Sequence, residues 1–333
     1  MSGNNAKEQN GDVAPPGGVL QPAAVAITSS PLGLAVYNTL RVSHPRLAAS
    51  WIALRPWTFS ASLTPVAMGT ALAYRATGAC DAWLLVATLV TVLSVHGAGN
   101  LVNSYFDYQR GGDSGGDNGG DSALVYVVGC VGFGVVCWLS RARTGLLALL
   151  FFGGLSSSFL YTGGVGLKYV ALGDVIAFVA FGPVCTLFVF AAQTAQASWL
   201  PLVYAIPLAP NTEAVVHASN ARRAATDARV GIVTLAVLLG PVGSYALFVA
   251  LLFAPYVAFA ALGRAVAPAF YLPLLCLPTA FDVEREYRDG RLDTLPDKLA
   301  RLNFLFGVLY TAACLLVSSQ DMPLLAADAC VKA

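Results

Sequence analysis

The sequence predicts an all-α, polytopic membrane fold, and three observations point to it. Hydrophobic residues make up 57% of the 333 and charged residues only 11%, with a mean hydropathy of +0.68. That is more apolar surface than a water-soluble domain of this length could bury. Uncharged stretches of about 20 residues, the length needed to cross the hydrocarbon core, recur along the chain. The basic residues also fall on alternate connections between those stretches. The net charge is +1, and no basic-aromatic patch suggests a nucleic-acid partner. Seven cysteines stand singly, mostly within apolar runs and without CxxC spacing; they read as packing residues rather than metal ligands or disulfides.

In chain order, residues 1–50 are rich in Gly, Ala, Pro and Ser and read as a mostly disordered cytoplasmic tail, interfacial near LRVSHPRLAASW. The stretch 20–37 is interrupted by Pro22, Ser29, Ser30 and Pro31, so no cleavable signal peptide is expected and the first span must direct insertion. The membrane domain covers 51–320, with nine predicted transmembrane helices near 57–74, 82–106, 122–140, 144–162, 171–192, 199–218, 240–262, 265–281 and 302–320. The uncharged run 175–212 is too long for one helix and turns at QTAQAS. The run 230–263 breaks at Pro241. With nine spans and a cytoplasmic N-terminus, the inner face carries 14 of the 19 Lys and Arg residues; a tenth span would carry the basic loop 282–301 across the membrane. Residues 321–333 form a short C-terminal tail.

Two polar stretches interrupt this pattern, both on the predicted cytoplasmic side: 96–121, HGAGNLVNSYFDYQRGGDSGGDNGGD, and 217–231, HASNARRAATDARVG. We expect them to face each other across one membrane-embedded cavity. Asn100, Asn103 and Asp107 recur at three- and four-residue spacing, so a helix projects them to one side. Polar groups near membrane depth are costly unless paired or hydrated. Two readings follow: the asparagines hydrogen-bond between helices and the aspartates are solvated, or Asn103, Asp107 and Asp113 hold Mg²⁺. That ion takes a few carboxylates, keeps waters and completes its shell with substrate phosphates. Asp117 and Asp121 continue the spacing, but among glycines they read as a solvated loop.

In the second stretch Asn220 and Asp227 offer oxygens, while Arg222, Arg223 and Arg229 offer cations that would suit phosphate or simply anchor the topology. Lys168 follows a glycine-rich turn at the same face, as an interfacial anchor or a diphosphate-gripping cation, with Asp174 nearby at the start of the next helix. His96 and His217 lack partners at ligand spacing and read as buried hydrogen-bonding residues. Arg55, before Pro56 and Trp57, has the look of an interfacial anchor and is also a candidate for substrate contact.

The chain resembles the UbiA family of intramembrane prenyltransferases, and within it an animal member that makes vitamin K2. The residues that carry the resemblance are ALRPWTFSASLTPVAMGTALAY (53–74), VHGAGNLVNSYFDY (95–108), FGGLSSSFLYTGGVGLKYVALGD (152–174), PLVYAIPL (201–208), TEAVVH (212–217) and GIVTLA (231–236). The resemblance implies a nine-helix bundle around a central cavity, in which Mg²⁺ bound at two Asp-rich motifs takes up an isoprenyl diphosphate. It further implies that an allylic cation forms and a quinone-type acceptor attacks it. For the animal branch the implied donor is geranylgeranyl diphosphate and the acceptor reduced menadione, giving menaquinone in an endoplasmic-reticulum or Golgi membrane, with a mitochondrial membrane as the alternative. A sterol-synthesis reductase is the implied protein partner.

Carried over by position, the first motif falls intact on Asn103, Asp107 and Asp113, and Tyr161 and Lys168 match the YTGG-to-Lys stretch. The second motif keeps Asn220, Arg222 and Asp227, but Ser219 stands where an Asn belongs and Arg223 where an Asp belongs. The implied catalytic set is Asp107, Asp113, Asp227 and Lys168, and the implied metal ligands are Asn103, Asp107, Asp113 and Asp227. Substrate contacts fall on Arg55, Asn100, Asn103, Tyr161, Asn220, Arg222 and Arg223. The segment after Asp113 is about a dozen residues shorter than the resemblance implies. A cation at 223 opposes a second metal. The alternative is therefore a catalytically weakened or inactive lipid-binding regulator of isoprenoid and sterol synthesis. A transporter finds little support, since no repeat of the two halves is evident.

Overall fold

A computed structural model describes residues 31–109, 119–318 and 320–322. Among these residues the regular structure is helical, apart from an isolated parallel bridge between Val170 and Val233. Two helices, α1 (Pro31–Ser43) and α2 (Pro45–Leu54), occupy a stretch the sequence reading assigns to the tail. A proline opens each, where its missing N–H costs nothing, and Ala48 and Ala53 of α2 are buried. A short 3₁₀ turn, Pro56–Phe59, leads into α3 (Ser60–Thr77), which ends on Gly78 at φ 73°, a left-handed cap that donates its N–H to the Tyr74 carbonyl.

Next come α4 (Ala82–Gln109), α5 (Gly119–Leu139) and α6 (Thr144–Leu160). After the loop 161–172, α7 (Gly173–Thr194) carries a π turn at Ala180–Val184 around Pro183. The short α8 (Leu200–Ala205) precedes α9 (Leu208–Arg229) and α10 (Leu235–Ala265). Thr234 caps α10 by accepting from the Val237 N–H. The break expected at Pro241 lies at Gly240, whose φ 66°, ψ 178° only glycine adopts at low cost. The stretch predicted as one span at 265–281 is instead a 3₁₀ run, Pro268–Cys276, followed by α11 (Leu277–Arg288). Finally α12 (Leu295–Leu316) starts seven residues before its predicted position at 302.

The predicted spans 199–218 and 265–281 are each divided, the first between α8 and α9 and the second between the 3₁₀ run and α11. Among the described residues five helices are long and apolar enough to cross a membrane: α4, residues 121–139 of α5, α7, α10 and α12; α6 is a shorter apolar helix. Large apolar side chains such as Trp83, Leu124, Trp138, Leu149, Val242 and Leu316 point outward, a surface suited to lipid.

Because lipid tails are as apolar as leucine, helices in a membrane associate through close packing of small residues rather than through the hydrophobic effect. Here α3 is the hub. A Cβ on Gly69 would come 2.8 Å from the Thr186 carbonyl and the Val189 Cβ of α7, and one on Gly307 of α12 would overlap Thr64. Around α3 lie two apolar clusters. One, with Phe248, Phe259, Phe306 and Tyr310, joins α3 to α8–α12; the other, with Val66, Leu147, Phe151 and Phe188, joins it to α4–α7. A cavity of about 500 Å³ opens between α3, α4, α6, α7 and α9.

Candidate active site

The cavity has two chemically distinct parts. Its depth is formed by Val92, Leu150, Phe151, Val184 and Phe188, and its mouth by Arg55, Asn100, Asn103, Asn220, Arg222 and Arg223. The α4 residues separated by three or four positions, His96, Asn100 and Asn103, all line it, as their spacing requires.

Each of these side chains is placed by a neighbour. Arg55 caps α2 in the left-handed region, φ 51° and ψ 58°, unusual for a residue with a Cβ, and its Nη2 donates to Ser104 Oγ at 3.4 Å. Asn100 Nδ2 donates to the Leu54 carbonyl at 2.9 Å and to Thr58 Oγ1 at 3.1 Å, fixing the Arg55 turn to α4. His96 is buried between Phe59 and Phe181 and within hydrogen-bond distance of Ser62 Oγ at 2.7 Å. Tyr161 lies on the cavity wall.

Near the C-terminal end of α4, Asp107 is 3% exposed and closed in by donors. Lys168 Nζ donates to its two oxygens at 2.7 and 2.8 Å, Tyr169 OH to Oδ1 at 3.1 Å, and Arg223 Nη1 to Oδ2 at 3.5 Å. Lys168 also donates to Asn103 Oδ1 at 3.1 Å. The glycine-rich turn makes this possible. Gly164 and Gly166 have φ 57° and 62°, and a Cβ on Gly166 would come 2.5 Å from the Tyr169 ring. The same loop is tied to the end of α9, where Ala171 N–H donates to the Val233 carbonyl at 2.8 Å. Burial and the neighbouring Arg223 charge bring the Lys168 ammonium down from 10.5 to about 8, against the pull of Asp107.

The α9 side differs. Asp227 is 3% exposed, and its Oδ2 is buried with no hydrogen-bond partner. Burial pushes its carboxyl above the usual range, while Arg223 and Lys168 pull it back. Asn220 Nδ2 donates to Asp174 Oδ1 at 3.0 Å, which leaves Oδ1 of Asn220 buried and unpaired. Arg222 Nη1 donates to the Asp293 carbonyl at 3.0 Å, drawing the 289–294 loop over the mouth.

The sequence-predicted residues are therefore brought together, but in layers. Arg55, Asn100, Asn103, Tyr161, Asn220, Arg222 and Arg223 face the cavity, whereas Asp107, Lys168 and Asp227 stand behind its wall. Lys168 is thus a buried counter-ion of Asp107, not an interfacial anchor. Asp113 lies outside the described residues. Asp121, expected in a solvated loop, begins α5, where a carboxylate suits the helix dipole, and accepts from Ser50 Oγ of α2. Among the described residues no cluster of three His, Cys, Asp or Glu is arranged for a metal. Oxygen donors with unfilled acceptor capacity do exist on α9, in Asp227 Oδ2 and Asn220 Oδ1. With Asn103 and Asp107 across from them, this set fits a hard cation that takes few protein ligands. Tyr169 and the mouth-lining Asp293 and Asp297 were missed by sequence reasoning; Tyr169 adjoins Lys168 in a stretch already singled out, and nothing in the spacing marks the two aspartates.

Residues 62–307 match the UbiA prenyltransferase family. The UbiA prenyltransferase domain-containing protein 1 of Danio rerio is 47% identical over 294 residues, covering 84% of this chain and 88% of that protein. Among solved structures, a UbiA homolog from Aeropyrum pernix K1 in its apo form superposes with a TM-score of 0.60 at 14% identity, covering 74% of this chain and 96% of that one. A UbiA homolog from Archaeoglobus fulgidus bound to GPP and Mg²⁺ gives 0.54 at 13% identity, covering 79% and 99%. At such identities these two likenesses speak to the fold.

Proposed function

The chain belongs to the UbiA prenyltransferase family, and from that premise we propose that it transfers an isoprenyl group from its diphosphate to an aromatic, quinone-type acceptor inside the cavity. One observation carries the reading: a single cavity joins an apolar, aromatic depth to a mouth holding Arg55, Arg222 and Arg223. A prenyl diphosphate has the same division, a hydrocarbon tail and an anionic head. The solved homologue with GPP and Mg²⁺ supports the choice of donor. Geranylgeranyl diphosphate and reduced menadione, giving menaquinone, are the specific donor and acceptor we assign, on the sequence resemblance. We assign nine spans, with the mouth on the cytoplasmic side, in keeping with the distribution of Lys and Arg.

In this reading the tail lies along Val92, Leu150, Phe151 and Phe188, and the diphosphate meets the guanidinium groups at the mouth. Those fixed cations gain strength in a site poor in water and favour departure of the diphosphate as negative charge develops on it. Trp57, Phe151, Phe181 and Phe188 exclude water from the allylic cation and offer it their ring faces. Asn103, Asp107, Asn220 and Asp227, with Asp113, would hold Mg²⁺. When bound, the ion supplies further charge neutralisation to the leaving group. Lys168 and Tyr169 hold the Asp107 carboxylate in place.

A second reading keeps donor binding without turnover, and one observation favours it: Lys168, Tyr169 and Arg223 already occupy the Asp107 carboxylate. Incubating the purified, lipid-reconstituted chain with geranylgeranyl diphosphate, menadiol and Mg²⁺ separates the two. We expect menaquinone, lost in Asp227→Ala. Saturable donor binding without product would support the second reading, and absence of both from folded protein would overturn each.

A further inference from the structure

α9 shows the cavity one face, through Thr212, Ser219 and Arg222, and turns another, through Glu213 and His217, toward α7 and α10. Along that second face runs a buried polar chain that takes no part in the mechanism above. Tyr287 OH of α11 lies 2.8 Å from Ser244 Oγ of α10, and Ser244 Oγ lies 2.9 Å from His217 Nε2. His217 Nδ1 lies 2.9 Å from Asp174 Oδ2 of α7, and Asp174 Oδ1 accepts from Asn220 Nδ2 at 3.0 Å. Glu213 is buried beside Asp174 as well. Tyr287, Ser244, His217 and Asp174 all lie off the cavity wall; Asn220 lies on it.

The direction of the bonds to Asp174 follows from the chemistry of the groups. A carboxylate only accepts, so His217 Nδ1–H donates to Asp174. His217 Nε2 lies 2.9 Å from Ser244 Oγ and 3.1 Å from the Ser244 carbonyl, which only accepts, and Ser244 Oγ lies 2.8 Å from Tyr287 OH. The contacts thus link phenol, serine, imidazole and carboxylate in one buried series. At its end Asp174 fixes the Asn220 amide as well. A flipped amide would set its oxygen against a carboxylate oxygen, so Nδ2 must face Asp174 and Oδ1 must face away. That Oδ1 is buried and unpaired.

We propose that Tyr287, Ser244, His217 and Asp174 are positioning residues that hold the Asn220 amide in one orientation, presenting its oxygen as a ligand to the divalent cation that accompanies the prenyl diphosphate. The proposal rests on the function assigned above. It gives the two buried histidine bonds a role beyond joining helices: they orient a metal-seeking oxygen that is two bonds removed from them. A chain serving only as a staple between α7, α9, α10 and α11 would affect thermal stability and leave cation affinity alone.

The test uses the full chain in lipid nanodiscs with Mn²⁺ as the probe, its binding followed by loss of the free-ion EPR signal, with and without geranylgeranyl diphosphate. Asp174→Asn removes the obligate acceptor and frees the Asn220 amide to turn; Mn²⁺ affinity is expected to fall roughly tenfold. The double variant Asp174→Asn with Asn220→Asp should recover most of it, because a carboxylate at 220 offers an oxygen to the cavity whichever way it turns. Ser244→Ala, the milder change, should weaken Mn²⁺ binding two- to fivefold. Unchanged Mn²⁺ affinity in Asp174→Asn or, should that variant not fold, in Ser244→Ala overturns the proposal while leaving the assigned function standing. No rescue by the double variant overturns it too. Failure of the unaltered chain to bind Mn²⁺ with the diphosphate present overturns cation-assisted donor binding and the proposal with it.

Discussion

The C-terminal ends of α4 and α9 face one another, carry the same kinds of side chain and are treated oppositely by their surroundings. On α4 the Asp107 carboxylate is saturated, with donors from Lys168, Tyr169 and Arg223. On α9 Asp227 Oδ2 and Asn220 Oδ1 are buried and unpaired, although each would gain from a partner. The end on α4 is closed by the protein's own side chains; the end on α9 keeps acceptor capacity in these two oxygens. Arg223 belongs to both, since it projects from α9 and reaches Asp107 at 3.5 Å.

The sharpest way to break this contrast is to remove a partner at the saturated end. Lys168→Met strands a buried carboxylate, a change that costs about 3–5 kcal/mol when one member of a buried pair is lost. The melting temperature of the reconstituted protein should drop markedly. Asp227→Asn should leave it nearly unchanged, because no hydrogen bond to Oδ2 is lost. A large loss of stability in Asp227→Asn and none in Lys168→Met would reverse the assignment.

The same Asp227→Asn change should nevertheless lower product formation about 100-fold, or ~2.7 kcal/mol in the barrier, measured as initial rate at saturating donor. Arg223→Asp is expected to act in the other direction on cation demand. It removes the cation that competes for Asp107, so the Mg²⁺ concentration giving half-maximal donor binding should fall roughly tenfold. Its melting temperature should be low without Mg²⁺ and recover when the ion is added.

The smallest effect expected is that of pH. Below about 8 Lys168 is an ammonium; as pH rises through that value the charge beside Asp107 is lost, and donor affinity should weaken a few-fold. Stability moves the opposite way for this group. Between about 8 and 10.5 the unfolded chain holds a proton that the folded chain has shed, so the Lys168 contribution to stability rises with pH. Weaker binding alongside undiminished stability above pH 8 would separate this titration from general unfolding.

Much of this was legible in the sequence, for physical reasons that differ between parts. The spacing of Asn100, Asn103 and Asp107 put them on one helical face because a helix admits no other arrangement. The convergence of 96–107 with 217–227 was expected from the distribution of Lys and Arg, and Arg223 of the second stretch does reach Asp107 of the first. What could not be read was which oxygens are already spoken for. That Lys168 reaches back to Asp107 depends on the left-handed Gly166 turn and on the pairing of Ala171 with Val233, contacts between segments more than 60 residues apart. The pairing of His217 with Asp174 likewise depends on the approach of α7 to α9, where a Cβ on Gly182 would come 2.6 Å from that of Ala209. Helix starts were misplaced where proline decides them: Pro296 at the head of α12 extends that helix into a charged stretch that hydropathy alone assigns to a loop.

The central claim is that the ends of α4 and α9 form one site for one ligand. A double-mutant cycle tests it, measuring geranylgeranyl diphosphate affinity, with Mg²⁺ present, for the unaltered chain, Asp107→Asn, Asp227→Asn and the pair. If both carboxylates serve a single bound diphosphate and its cation, the combined loss should differ from the sum of the separate losses by more than about 0.5 kcal/mol. Strict additivity, or affinity indifferent to both changes, would contradict a shared site.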